Sequence, residues 1–159
     1  MKGLDTNLKN SLFCVGRLDE DTSGLIIITN DGTLGSKITR PESMIEKGYA
    51  AVLEKDIKDK DIEKIKKGVT ISLEHNKKVT EYKTRPCKIQ LIDKRDVIIT
   101  VSEGKKREVR RIFEAVGNKV VSLERVSIGS LRLDGIRTGE FKFVDKEFIE
   151  KRINASSGI

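Results

Sequence analysis

The chain has 159 residues, enough for one compact domain with a real core and too few for two independent ones. Its 32 Lys and Arg exceed 25 Asp and Glu by seven charges, which favours a polyanionic partner, while two Tyr, five Phe and no Trp exclude a protein that holds single-stranded bases chiefly by stacking. The longest strongly apolar run, residues 25–28, is far short of a membrane span, and the first ten residues lack the apolar core of a signal peptide, so a cytoplasmic protein is expected.

Taken in order, residues 12–15 and 25–29 read as short strands around a polar loop, residues 19–24. Asn30, Asp31 and Gly32 mark a turn, and residues 33–39 make a short helix that Arg40 and Pro41 stop. Residues 49–53 are a strand. Residues 58–67 carry Ile62 and Ile65 on one side among many charges and end at Gly68, the pattern of a surface helix.

Strands are predicted over 69–73, 84–91 and 96–102 from β-branched enrichment and alternation. The strongest helix is 106–116, where Val109, Ile112, Phe113 and Val116 fall at helical spacing and Gly117-Asn118 supplies the stop. Strands at 120–126 and 141–144 follow, and Asp145 caps a last helix bearing Phe148, Ile149 and Ile153. The domain is expected to occupy residues 1–153, with 154–159 a frayed tail. Cys14 and Cys87, each in an apolar run and without a Cys or His at metal-ligand spacing, are expected as buried thiols. Strands outnumber helices and several are joined by short turns, so the fold class is α+β with a mixed sheet.

The loop GRLDEDTSG, residues 16–24, concentrates three acids, two hydroxyls and two glycines between two apolar strands. Composition alone leaves it either a site or an ordinary polar connection. Asp19, Asp21, Ser23 and Gly24 match the first half of a calcium loop, but the twelfth position is Asn30, which cannot supply the bidentate Glu, and a strand follows where that motif continues into a helix.

The longer segment GRLDEDTSGLIIITNDG, residues 16–32, resembles the signature of the bacterial ribosomal pseudouridine synthases of the small-subunit synthase A type, a family that includes several large-subunit enzymes. EKGYAAVLE, residues 46–54, is similar to the segment bearing that family's active-site Tyr, and SEGKKREVRRIFEAVGNKVVSLERVSIG, residues 102–129, to its later motifs. The resemblance implies an elongated, largely antiparallel mixed sheet with flanking helices and a central cleft, and no cofactor or metal. It implies isomerisation of a uridine in ribosomal RNA, small-subunit RNA before large-subunit RNA, by a monomer whose partner is that RNA or an assembling ribosomal subunit. It selects Asp19, not Asp21, as the catalytic residue, Tyr49 as the residue packing on the target uracil, Arg110 as the active-site Arg and Leu123 as an apolar wall of the base pocket.

Such an enzyme needs an anionic group at the junction of sugar and base, and Asp19 supplies one, whether it attacks the sugar, adds to the base or removes a proton. A carboxylate in a closed cleft needs a neighbouring cation to stay ionised. Helical geometry puts Arg110 at the edge of the apolar face, able to reach a cleft beside Asp19, and turns Arg107 and Arg111 to solvent or phosphate. Lys105, Lys106, Arg107 and Arg111 are expected on the RNA backbone. Arg17 is placed to fill the space left by an extruded base or to bind a phosphate, and Lys37, Arg40 and Lys47 to extend the basic surface. Members of the family usually begin with a small RNA-binding domain of the ribosomal-protein-S4 type and a Lys-Pro-x-Gly strand. Only eighteen residues precede Asp19 and neither feature is visible, so a catalytic domain without its start, and with an open sheet edge, is expected. The rival from another class is a non-catalytic rRNA-binding module.

Overall fold

The computed structural model describes residues 11–75 and 78–155. In chain order its elements are β1 (Phe13–Val15), β2 (Ser23–Gly24), β3 (Ile27–Thr29), α1 (Gly32–Thr39), β4 (Lys47–Leu53), α2 (Asp59–Lys66), β5 (Thr70–His75) and β6 (Lys78–Lys83). Then come β7 (Lys88–Asp93), β8 (Asp96–Val101), α3 (Glu108–Ala115), β9 (Val120–Ile128), β10 (Leu131–Arg132) and α4 (Lys146–Ile153). The fold is α+β. Its central sheet runs β10-β9-β4-β8-β7 with all neighbours antiparallel, and β2 joins the flank of β9 in parallel. The pairs β1-β3 and β5-β6 form two small antiparallel ribbons.

Two apolar cores follow from this layout. Ala51, Leu53, Val97, Ile99, Val101 and Leu123 line one sheet face, and the apolar stripe of α3, Val109, Ile112 and Phe113, closes over them. Ile65 of α2 and Ile71 of β5 complete that core. The second core joins Val15, Ile27, Leu34 and Ile38 to Ile128, Leu131, Ile149 and Ile153, so α1 and α4 cover the other end of β9. One strand therefore serves both cores, and the Asp19 loop lies between β1, in the second core, and β2, on the flank of β9.

Local chemistry explains the boundaries. The Asp31 carboxylate accepts from the Thr33 and Leu34 amides at 2.9 and 3.0 Å and starts α1. Past α2, Gly68 has φ of 86°, and a Cβ there would lie 2.3 Å from the Thr84 carbonyl oxygen, so only glycine ends the helix against that connection.

Four expectations need correction. Residues 141–144 are not a strand: Phe141, Phe143 and Val144 are exposed, and the apolar alternation has no partner strand to pair with. The strand predicted from residue 84 starts at Lys88, after a connection containing Pro86, while β6 was not predicted because its six residues are too polar to signal a core. Cys14 is exposed, since the alternation of β1 turns Val15 inward and Cys14 outward, whereas Cys87 is buried, which pushes its thiol up to about 12. Asp145 sits at the start of α4, but its side chain makes no capping hydrogen bond. Of the predicted tail, Asn154 ends α4 and residues 156–159 lie outside the described residues. Among the described residues, no helix is long and apolar enough to cross a membrane.

Candidate active site

The Asp19 loop is fixed at two points. Within it the Thr22 amide donates to the Asp19 carbonyl at 2.9 Å and closes a tight turn over residues 19–22. At its end Gly24 has φ of 113°, and a Cβ there would meet the Arg125 backbone oxygen at 2.3 Å, so the chain can pass this close to β9 only as glycine. The Leu25 amide donates to the Arg125 carbonyl, and the buried Arg125 guanidinium donates through Nε to the Leu25 carbonyl, both at 2.7 Å. Arg125 is thus a two-way staple between the loop and β9.

The start of α3 approaches the same loop. Arg110, only 6% exposed, donates through Nη2 to the Asp21 carbonyl at 2.6 Å and through Nη1 to the Val120 carbonyl at 3.0 Å. Its Nε lies 3.2 Å from the Asp21 carboxylate. Arg107 grips the same carboxylate with both terminal nitrogens, at 2.8 and 2.9 Å. These contacts correct two expectations. The carboxylate that Arg110 pairs with belongs to Asp21, not Asp19, because the turn after Asp19 carries Asp21 toward α3. Arg107 is half-buried in an ion pair and does not simply face solvent. The Arg107 hydrogen bond holds the Asp21 carboxyl below the ordinary carboxylate range.

Among the described residues, no ion pair engages the Asp19 carboxylate. Its negative charge acts on two neighbours, the Arg107 guanidinium and the Tyr49 phenol. Tyr49 stands half-buried on β4, opposite Arg125 of β9 and beside the first core. Burial raises its phenol above the ordinary value, the Arg125 guanidinium opposes that rise, and the charges of Glu108 and Asp19 reinforce it. The phenol is therefore neutral at physiological pH.

Two further ionisable groups join this cluster. Glu108, 5% exposed at the first position of α3, accepts the Lys105 amide at 3.1 Å through one oxygen, and its other oxygen is buried without a partner. Desolvation pushes its carboxyl up to about 7. Lys47, expected on the basic surface, is half-buried on β4 and donates to the Ile45 carbonyl at 3.1 Å. Its ammonium is lowered by desolvation and by Arg125, with Glu108 acting the other way. Leu123, opposite Ala51, is in the first core.

The remaining basic residues are scattered. Lys106 and Arg17 are exposed, Lys105 extends over the Tyr82 ring with its ammonium 4.4 Å from the centroid, and Arg111 is half-buried with one terminal nitrogen buried and unpartnered. Lys37 pairs with Glu150 at 3.6 Å, and Arg40 donates to Ser36 at 3.0 Å. The structure brings Asp19, Tyr49, Arg107 and Arg110 together, and leaves Lys37 and Arg40 out.

Sequence reasoning missed Glu108 and Arg125, placed Lys47 on the exposed basic surface and gave Asp21 no partner. The first two had a readable signal. Glu108 lies four residues before Ile112, on the inward face of a helix, and Arg125 lies two residues after Leu123, on the inward face of a strand. A charge on an inward face marks either a site or a staple, and Arg125 is in contact with both.

The site thus gathers an Asp19 carboxylate free of ion pairs, a half-buried neutral Tyr49 and two arginines engaged by Asp21 at one loop of a mixed sheet. The sequence model described as RNA pseudouridylate synthase matches residues 1–115, and the chain belongs to that family. Within it, the chain is 39% identical over 147 residues to the ribosomal small subunit pseudouridine synthase A of Escherichia coli (strain K12), covering 92% of this chain and 61% of that protein. It is 37% identical over 141 residues to the ribosomal large subunit pseudouridine synthase B of Bacillus subtilis (strain 168), covering 84% of this chain and 54% of that protein. A solved pseudouridylate synthase superposes with a TM-score of 0.83 at 34% identity, over 94% of this chain and 63% of that one. The chain thus spans about three fifths of the length of these relatives.

Proposed function

We propose that the protein isomerises a specific uridine of ribosomal RNA to pseudouridine, with Asp19 as the catalytic residue. The observation that carries this reading is the contrast within one loop: Asp21 is engaged by two arginines, while the Asp19 carboxylate is left open beside Tyr49. Pseudouridine formation detaches uracil from C1′ of the ribose, turns the ring and rejoins it through C5, with the C5 proton leaving and a proton arriving at the former glycosidic nitrogen. Asp19 acts at the sugar-base junction, and every version of that step requires it ionised.

In this reading Tyr49 packs its ring on the uracil, and its neutral phenol is in the state needed to donate a hydrogen bond or hold a proton. Arg110 keeps the loop seated, and Leu123 closes the apolar side of the base site. Extruding a uridine from folded RNA costs a few kcal/mol, and the enzyme recovers it through backbone contacts. Lys105, Lys106, Arg107 and Arg111 make those contacts, with Arg17 beside the loop. Residues 1–153 are then the catalytic domain of a cytoplasmic monomer whose partner is ribosomal RNA or an assembling subunit. Small-subunit RNA is the substrate favoured by the match to the small-subunit synthase A, and large-subunit RNA is the second reading, because the large-subunit synthase B is nearly as similar.

Mapping pseudouridines in ribosomal RNA from cells lacking the gene tests this. The expected result is one small-subunit uridine that stays unmodified and is restored by the wild-type gene. Loss of a large-subunit pseudouridine instead selects the second reading, and an unchanged map of both subunits overturns the proposal.

A further inference from the structure

Asp21 has no chemical task in the reaction above, yet its carboxylate is the most strongly engaged group in the loop. Arg107 presents two parallel N–H groups to its two oxygens at 2.8 and 2.9 Å, the fork geometry that a guanidinium offers equally to a carboxylate and to a phosphodiester. Arg110 brings a second guanidinium within 3.2 Å of the same group. We infer that the Arg107–Arg110 fork is a seat for an RNA backbone phosphodiester, that Asp21 fills it in the free protein, and that RNA binding exchanges one anion for the other. The inference rests on the RNA-modifying reading and adds where the backbone next to the target uridine is held.

Three observations favour exchange over a permanent structural pair. The pair is open to solvent, with the Asp21 and Arg107 side chains 47% and 37% exposed, so an incoming phosphate can reach it and the displaced carboxylate can swing into water. Arg110 does not depend on the carboxylate, because the Asp21 and Val120 carbonyls hold its two terminal nitrogens whichever anion is in place. The loop therefore stays seated while the acid leaves. Arg107 is held differently. Among the described residues its side-chain hydrogen bonds go to Asp21 alone, and its backbone has φ of 54°, a left-handed conformation that a non-glycine residue adopts at a cost and that recurs at ligand clamps. Asp21 is ionised throughout the neutral range, so the exchange needs no proton.

The exchange also suits Asp19. With Asp21 in the seat, Arg107 is neutralised and its interaction with Asp19 is weakened. A phosphodiester in the same place leaves Arg107, which also feels the Asp19 charge, paired with an anion whichever one fills the seat.

The test uses the full-length protein and a ribosomal RNA fragment containing the target uridine, with dissociation constants measured for wild type, Asp21→Asn, Arg107→Gln and the double variant. Removing the internal anion should tighten RNA binding about two- to fivefold, the range of an exposed ion pair. That gain should vanish in the Arg107→Gln background, whereas a general loss of negative charge would tighten both backgrounds alike. Equal tightening in the two backgrounds, or none in either, overturns the seat. Wild-type protein supplies an independent readout that no folding defect can confound: the Arg107 side-chain nitrogen and Asp21 carboxyl carbon resonances should both shift on saturation with RNA, and unmoved resonances also overturn it. Wild-type binding to the fragment upholds the RNA reading in either case, and absence of that binding removes both.

Discussion

The face that β4 and β9 turn toward α3 has two unlike ends. At one end Ala51, Leu53 and Leu123 meet Val109, Ile112 and Phe113, and the last two are fully buried. At the other end the same alternation of β4 brings Tyr49 and Lys47, β9 contributes Arg125, and α3 contributes Glu108. The β4–β9 register shifts between Gly48 and Tyr49 and again between Val52 and Leu53, yet Tyr49 and Ala51 keep Arg125 and Leu123 opposite them, so the two ends differ chiefly in side-chain chemistry. The dry end supplies the packing that holds α3 against the sheet, and the charged end has buried polar atoms without protein partners, Glu108 Oε1 and an Arg125 terminal nitrogen. Such orphans are rare in a finished core and common where a polar ligand completes the hydrogen bonding.

Substitutions at the two ends should separate these roles. Phe113→Ala, at the dry end, leaves a cavity between helix and sheet and should cost about 3–5 kcal/mol in urea denaturation, the largest loss of stability expected here. A loss below about 1 kcal/mol would mean that α3 is held chiefly by its charged end.

Glu108→Gln, at the charged end, should act in the opposite direction and only above acid pH. The folded chain raises this carboxyl from its ordinary value near 4.5 to about 7. Its neutral form is compatible with burial, so its contribution to stability is full below 4.5 and is lost as pH rises through 7. Gln keeps the shape without the ionisation, so the variant should gain about 3 kcal/mol on wild type between about pH 4 and pH 8. Parallel stability curves across that window would show that Glu108 is charged and satisfied in the fold.

The smallest effect is expected at the rim. Replacing Lys105 and Lys106 by Gln should leave stability almost unchanged, weaken RNA binding, and reduce the slope of log affinity against log salt by about 0.7–0.9 for each phosphate that is no longer neutralised. An unchanged slope would remove these lysines from the RNA surface.

Much of this comparison was legible in the sequence. The spacing of Val109, Ile112, Phe113 and Val116 declares α3 and its buried face, since a strongly periodic helix depends on few distant contacts. The two-residue strands β2 and β10 carry no such period; they exist because β9 offers an edge on which to pair. Residues 141–144 show the reverse error, a strand-like alternation that no neighbouring edge accepts. Within the site, helical angle set Arg110 at the edge of the apolar face, from which it reaches the loop, but could not choose between Asp19 and Asp21, two residues apart. That choice depends on the turn closed by the Thr22 amide on the Asp19 carbonyl, a feature of backbone geometry and not of residue type. The same turn frees Asp19 and commits Asp21.

The most direct measurement is uridine isomerisation by Asp19→Asn, a substitution that keeps the side-chain volume and removes the charge. With full-length protein and a ribosomal RNA fragment carrying the proposed target uridine, pseudouridine formation should disappear while RNA affinity stays within about twofold of wild type, because the proposed backbone contacts come from arginines and lysines and not from Asp19. Pseudouridine formed at the wild-type rate by that variant would contradict the assignment of the open carboxylate as the catalytic one.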